Sequence, residues 1–453
     1  MQTTVTYITV ICITLTDIMR FYAREKELEA LKRIKKQSER SSTFTVLTGR
    51  RRIGKTTLMV RSAEGSRSVY LFVSRVAEPL LCEKLQKEAE NAGIEIIGRI
   101  TKFRDLFKAL MIASREEPLT IMIDEFQEFR YVDPAIYGEI QEIWDLYKNT
   151  SKVDLIVSGS VHSMMVRLFE DSNEPLFGRA TSKIELRPFT ISVMKTILKE
   201  HNSNYTSEDI LTMYMLTGGV PEYIGVLMDA GRDTADKMID SVTSVDSVFI
   251  RDGKDIIVSE FGKDYKTYFS IMQLIAGGKN RRSEIDDVLG MDTGTYLQRL
   301  ESEYSFIKQN FPMFSGSGGR NIRWHIADMY LRFYFRFILP HYDYVESGRP
   351  ELLNRAIRNG LDEYAGRVLE SYFRQRIAEE EDYTKVGGYW NRKGDVEIDI
   401  IVLNDLEKKA DVIAVKRNPK KLNMNDLKEK AETVKHHLDG YEIRFRGLST
   451  DDV

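Results

Sequence analysis

Gly49-Arg50-Arg51-Arg52-Ile53-Gly54-Lys55-Thr56 places two glycines, a lysine and a hydroxyl at the G-x-x-x-x-G-K-[ST] spacing of a polyphosphate-wrapping loop. Triphosphate oxygens need several backbone N–H groups converging on one small volume. That demands glycine where the chain passes close, and a following helix whose N-terminal dipole favours anions. Lys55 is placed to reach β- and γ-phosphates, and the Thr56 hydroxyl to hold Mg²⁺. Gly49, Arg50, Arg51, Arg52, Ile53, Gly54, Lys55, Thr56 and the adjoining Thr57 are therefore the candidate nucleotide-binding residues, with ATP and Mg²⁺ as expected ligands.

Two elements must position chemistry opposite that loop. The apolar run Phe44 to Leu47 reads as the strand leading into it, and a helix is expected from near Thr57. Leu119-Thr120-Ile121-Met122-Ile123-Asp124-Glu125 is a second apolar run, a buried parallel strand delivering two carboxylates at its C-terminal edge. Asp124 is the candidate Mg²⁺ ligand beside Thr56, and Glu125 the candidate general base that polarises water for γ-phosphate cleavage. A third strand, Asp154 to Ser160, ends in small polar residues. Ser158 or Ser160 is placed to bond the γ-phosphate or the attacking water, and a plain helix N-cap is the competing reading.

These segments resemble the archaeal-type ATPase family, within the AAA+ and STAND-like P-loop proteins. The matching residues are Phe21-Tyr22-Ala23-Arg24-Glu25-Lys26-Glu27-Leu28, the arginine-rich loop, Ile123-Asp124-Glu125-Phe126-Gln127, Val157-Ser158-Gly159-Ser160, Pro175-Leu176-Phe177-Gly178-Arg179 and Thr217-Gly218-Gly219-Val220-Pro221-Glu222-Tyr223. The resemblance implies a nucleotide-switch core with a helical lid, Gly219 and Pro221 near the bound nucleotide, and Arg179 as a sensor or finger for phosphoryl charge. A structural salt bridge is the alternative for Arg179. Ring assembly is common in the wider superfamily, which leaves a homo-oligomer open.

Between Tyr265 and Ile326 the pattern reads helix, short helix, turn at Gly290, helix from Thr293 to Tyr304, then a hairpin with its tip at Gly316 to Arg320, a winged helix-turn-helix order. Gln298 and Arg299 lie on the recognition-type helix together with Glu301 and Glu303, and those acids weigh against a duplex contact. DNA binding, with Arg320 and Arg323 as phosphate contacts, and a packing or autoinhibitory role both stay open. Met329 to Pro340 alternates arginines with aromatics; a helix with a buried apolar face and Arg332 and Arg336 on the other side is favoured over a base-stacking platform.

The C-terminal segment resembles PD-(D/E)XK nucleases. That likeness assigns Asp399 on the strand Val396 to Val402 to the acid position, Lys416 after Val412 to Val415 to the water-orienting position, and Glu370 as an acid from the preceding helix. Ala414 stands where a second strand carboxylate is expected. A degenerate, non-cleaving domain is therefore the leading expectation, and an Mg²⁺-dependent nuclease the rival.

The 453 residues, 42% hydrophobic, suffice for about three domains, and the net charge of −3 argues against a chain generally coated by nucleic acid. Cys12 and Cys82 form no disulfide framework, which fits a reducing cytoplasm; no histidine cluster is expected, since His436 and His437 should face different sides of a helix. Residues 1–20 read as a loosely attached extension, too short to span a membrane, so no membrane partner is expected. The expected architecture is α/β: a P-loop NTPase parallel-sheet core over 21–188, a helical lid over 189–258, a winged helix-turn-helix domain over 259–341, a linker at 344–349, and an α/β restriction-endonuclease-like domain over 350–453.

Overall fold

A computed structural model describes residues 22–244, 246–261, 265–315, 321–380 and 382–453, with Ile257 and Ser259 as backbone only. The extension at 1–20 and the wing tip with Arg320 lie outside the described residues. The chain forms two compact units, one ending at Arg187 and the other starting at Pro188.

In the first unit, β1 (Thr43–Thr48), β2 (Ser68–Phe72), β3 (Leu119–Asp124), β4 (Val153–Ser158) and β5 (Ser182–Glu185) form one parallel sheet in the order β2-β3-β4-β1-β5. Strands β1, β3 and β4 have neighbours on both sides and helices on both faces, so their side chains are buried almost without alternation. Phe44, Val46, Ile121, Ile123, Leu155 and Val157 pack on one face with α3 (Glu78–Asn91), α4 (Phe103–Ala113) and α5 (Ile136–Tyr147). Leu47, Met122 and Ile156 point to the other, against Leu31 of α1 (Glu25–Ser38) and Leu58 and Met59 of α2 (Lys55–Ser62). Because every strand runs the same way, all five C-terminal ends share one edge of the sheet. Any ligand site built from strand tips must sit there.

The second unit begins with helices α7 (Ile191–His201), α8 (Ser207–Thr217), α9 (Pro221–Asp229), α10 (Ala235–Val242) and α11 (Val248–Phe261), α6 being His162–Glu170 of the first unit. α8 opens on a Thr206/Asp209 capping box and closes on left-handed Gly218, and Pro221 starts α9 where a missing N–H costs nothing. Next come α12 (Tyr265–Ala276), α13 (Arg282–Leu289), α14 (Gly294–Ser302) and an antiparallel hairpin of β6 (Ile307–Asn310) and β7 (Arg323–Ile326).

The segment after the hairpin departs from a regular helix. Met329–Phe333 is α-helical and Tyr334–Ile338 is a π-turn, which together bury Tyr330, Leu331, Phe333, Tyr334, Phe335, Phe337 and Ile338. The aromatics are thus core, and no base-stacking platform exists there. The expected linker at 344–349 is likewise mostly folded, with a short helix over Tyr342–Glu346 turning at Gly348 into the long α15 (Pro350–Glu380). A four-stranded sheet closes the unit: β8 (Lys385–Trp390), β9 (Glu397–Asn404), β10 (Lys409–Val415) and β11 (Glu442–Leu448), in the order β11-β10-β9-β8. α16 (Met424–Glu432) packs on it through Leu427 and Ala431. His436 and His437 do not face apart; they share a 3₁₀ turn with ring centroids 3.8 Å apart, and Phe314 stacks on His437.

Candidate functional site

The loop between β1 and α2 is shaped by two glycines in conformations closed to other residues. Gly49 has φ +137°, and a Cβ there would lie 2.8 Å from the Leu186 carbonyl; Gly54, φ +89°, is the left-handed residue that starts α2. The helix therefore begins at Lys55, two residues earlier than expected. Ile53 is buried against Leu31, Leu47 and Leu58, so its side chain anchors the loop rather than touching a ligand. Arg24, a buried residue before α1, donates to the carbonyls of Ile53 (3.3 Å) and Arg187 (2.7 Å), and burial holds its guanidinium below the usual range.

Lys55 donates to the carbonyls of Gly49 (2.8 Å) and Arg50 (3.0 Å). Its ammonium is thus held at the mouth of the loop by weak carbonyl acceptors that phosphate oxygens can replace. Thr56 Oγ1 donates to Asp124 Oδ2 at 2.6 Å, joining the loop to the tip of β3. Asp124 is 4% exposed and also accepts from Tyr70 (2.8 Å), Ser158 and the Glu125 N–H (3.0 Å). Because β4 lies between β1 and β3, Ser158 stands between the loop and the acids. Its hydroxyl is committed to Asp124, so Ser158 orients that carboxylate.

Glu125 sits at φ +55°, a left-handed conformation rare outside glycine that turns its side chain off the strand axis. Its carboxylate accepts from Ser160 (2.7 Å) and Gln127, and Gln127 also donates to Glu128 (3.2 Å). Ser158, Gly159 and Ser160 thus meet the acid loop residue by residue, since a Cβ on Gly159 would lie 2.2 Å from Gln127 Oε1. Sequence reasoning missed Tyr70 and Arg24, whose partners Asp124, Ile53 and Arg187 lie on another strand or in other loops, and Gln127, which bonds its own loop neighbours Glu125 and Glu128. It also missed His162 at the start of α6, whose imidazole burial pushes down, helped by Arg50 and Lys55.

Thr56 and Asp124 suit Mg²⁺ by donor chemistry: two adjacent hard oxygens, to be completed by phosphate oxygens and water. Among the described residues no cluster of three or more metal-binding side chains exists, so a cage supplied by protein alone is not what the site offers.

Arg179 requires a correction as a residue acting on its own chain's nucleotide. It precedes β5, next to Thr181, whose N–H bonds the carbonyl of Phe44 at the start of β1, so it occupies the sheet edge opposite the phosphate loop. There it pairs with Asp145 (3.3 Å) and donates to the Phe177 carbonyl (2.9 Å). In the second unit, Gly219 (φ +80°) is dictated by packing, because a Cβ would lie 2.4 Å from the Phe189 carbonyl. Pro221 starts the helix that follows.

Arg323, expected to reach DNA phosphates, is engaged elsewhere: it pairs with Glu397 and lies 4.5 Å over the Trp390 ring. The hairpin is also bonded to β8 through Met313 N–H to the Gly388 carbonyl (2.7 Å). On α14, Arg299 pairs with Glu303 (3.0 Å). Glu370, Asp399 and Lys416 converge: Lys416 bonds Asp399 at 3.2 Å, and Asp399 also accepts from the Val415 N–H at 2.7 Å. Desolvation, then the Asp399 charge, push the Glu370 carboxyl up to about 7. Arg374 pairs with Glu370 at 3.5 Å.

A family model described as an ATPase domain predominantly from Archaea matches residues 21–227, and one described as Archaea bacterial proteins of unknown function matches 334–433. An uncharacterized protein of Methanocaldococcus jannaschii, MJECL04, is 30% identical over 438 residues, covering 93% of this chain and 94% of its own. The Walker-type ATPase PABY2304 of Pyrococcus abyssi superposes with a TM-score of 0.53 at 17% identity, over 70% of this chain and 96% of that one, a likeness of fold. No described helix is long and apolar enough to cross a membrane. With its five-stranded parallel P-loop core and separate C-terminal sheet, this chain belongs to the archaeal ATPase family that carries this C-terminal domain of unknown function.

Proposed function

We propose that the protein binds ATP with Mg²⁺ and hydrolyses it slowly, as a cytoplasmic switch whose nucleotide state controls its C-terminal modules. The observation that carries this reading is the 2.6 Å bond from Thr56 to Asp124, which brings phosphate loop, metal-binding pair and Glu125 to one sheet edge. Backbone N–H groups of 49–56 and Lys55 take the phosphates; bound Mg²⁺, held by Thr56 and Asp124, supplies charge neutralisation. Glu125 accepts the proton of the attacking water, and Ser158 keeps Asp124 oriented. A role for Arg179 in stabilising phosphoryl charge requires a second copy of the chain, and so a homo-oligomer.

Glu125→Gln tests the reading. ATP binding by calorimetry is kept and phosphate release falls by about a hundredfold or more; unchanged turnover removes Glu125 from the chemistry. The convergence of Glu370, Asp399 and Lys416 supports a second reading, an Mg²⁺-dependent nuclease site with one acid fewer than its relatives. Cleavage lost in both Asp399→Ala and Lys416→Ala would favour it. The engagement of Arg323 and Arg299 within the unit supports a packing role for the winged module over DNA contact.

A further inference from the structure

Glu125 is connected to the protein surface. Gln127 is fully buried, and its amide nitrogen donates to two carboxylates, Glu125 Oε2 and Glu128 Oε1. With an acid on each side the NH₂ group has to face them, which leaves Gln127 Oε1 buried without a hydrogen-bond partner. Glu128, 8% exposed, is held in turn by Arg75, whose Nε donates to Oε2 and whose Nη2 donates to Oε1 at 3.0 Å. The Arg75 side chain is 55% exposed and lies 4.1 Å over the half-exposed Tyr131 ring. The path from solvent to the general base is therefore Arg75, Glu128, Gln127, Glu125.

Resting on the ATPase reading above, we infer that Gln127 is a positioning residue for Glu125 and that the Arg75–Glu128 pair sets how firmly it holds. Ser160 and Gln127 both bond Oε2, which fixes the carboxylate plane and leaves Oε1 to accept a proton as water oxygen bonds the γ-phosphorus and the bond to the β–γ bridging oxygen breaks. Glu128 competes for the same Gln127 amide. While Arg75 satisfies Glu128, the amide stays with Glu125; without Arg75, the stranded carboxylate of Glu128 draws the amide away. Glu125 then loses a donor and with it its orientation. Arg75 bonds Glu128 rather than Glu125, whose charge it feels only at longer range, so a role limited to surface packing predicts no catalytic effect of changing it.

The test is steady-state ATP hydrolysis by the full chain, wild type against Arg75→Ala, Gln127→Met and the double variant. Each single variant is expected to lose about tenfold in kcat with KM kept within about twofold. The double variant should be no worse than Gln127→Met, because both changes act along one path. Arg75→Lys should recover part of the loss. Arg75 is exposed, so its variants remain informative if Gln127→Met fails to fold. Wild-type kcat in Arg75→Ala, or losses that multiply in the double variant, would overturn the inference while leaving the ATPase reading intact. A wild-type chain that binds ATP and releases no phosphate would sink the hydrolytic reading and this inference with it.

Discussion

Asp154 ionises where almost no water reaches it, so Asp154→Asn should make the first unit more stable at neutral pH. The residue lies on β4, 2% exposed, with Thr43 Oγ1 donating to it at 3.1 Å; burial pushes its carboxyl from 3.8 up to about 6. A folded-state value raised above the unfolded one means that the folded chain binds the proton more tightly. The stabilisation is complete below about pH 4 and is lost as pH rises through about 6. A rise of about two units at about 1.4 kcal/mol each makes about 3 kcal/mol, and burial this deep calls for no solvent-screening discount. Asparagine keeps the acceptor for Thr43 and cannot ionise. Stability of wild type and variant should therefore match at pH 4 and differ by about 3 kcal/mol at pH 7, with the variant ahead. Hydrogen exchange of peptides covering β1 and β4, compared between the two proteins at each pH, isolates this unit from the second. Equal protection differences at both pH values, or a variant less protected at neutral pH, would refute the assignment.

Other outcomes follow from single contacts. Lys55→Ala should weaken ATP binding by about a hundredfold, measured by calorimetry, since the ammonium is the loop's phosphate-directed charge. Gly219→Ala must force its Cβ against the Phe189 carbonyl at positive φ, and should lower stability by about 2 kcal/mol in chemical denaturation of the second unit. Arg323→Ala gives up the Glu397 pair and the Trp390 contact, so it should cost about 1 kcal/mol of stability while leaving duplex DNA affinity unchanged in an anisotropy titration. A clear loss of DNA affinity would revive the wing as a DNA contact.

The phosphate loop and the acid strand were legible because their chemistry is local: glycines at a fixed spacing, a lysine beside a hydroxyl, an apolar run ending in Asp124-Glu125. What the sequence hid depends on which elements meet. Arg179 follows Pro175-Leu176-Phe177-Gly178 and was read with the site, yet it precedes a parallel strand, which puts it at the N-terminal edge of the sheet. Nothing local marks Gln127 as buried, since it is the tip of β4 that closes over it, and Arg75 and Glu128 are 53 residues apart. Arg323 seemed free to meet DNA because nothing local shows that β8 and β9 bring Trp390 and Glu397 to it. The π-turn at Tyr334–Ile338 likewise arises from packing, with Gly253 leaving room for the Tyr334 ring.

The central claim is that the loop around Lys55 captures ATP. Isothermal titration of the full chain with Mg²⁺·ATP measures it directly. One saturable site per chain, weakened about a hundredfold in Lys55→Ala and retained in Glu125→Gln, is the expected result. No uptake by folded protein, or uptake indifferent to Lys55→Ala, would contradict it.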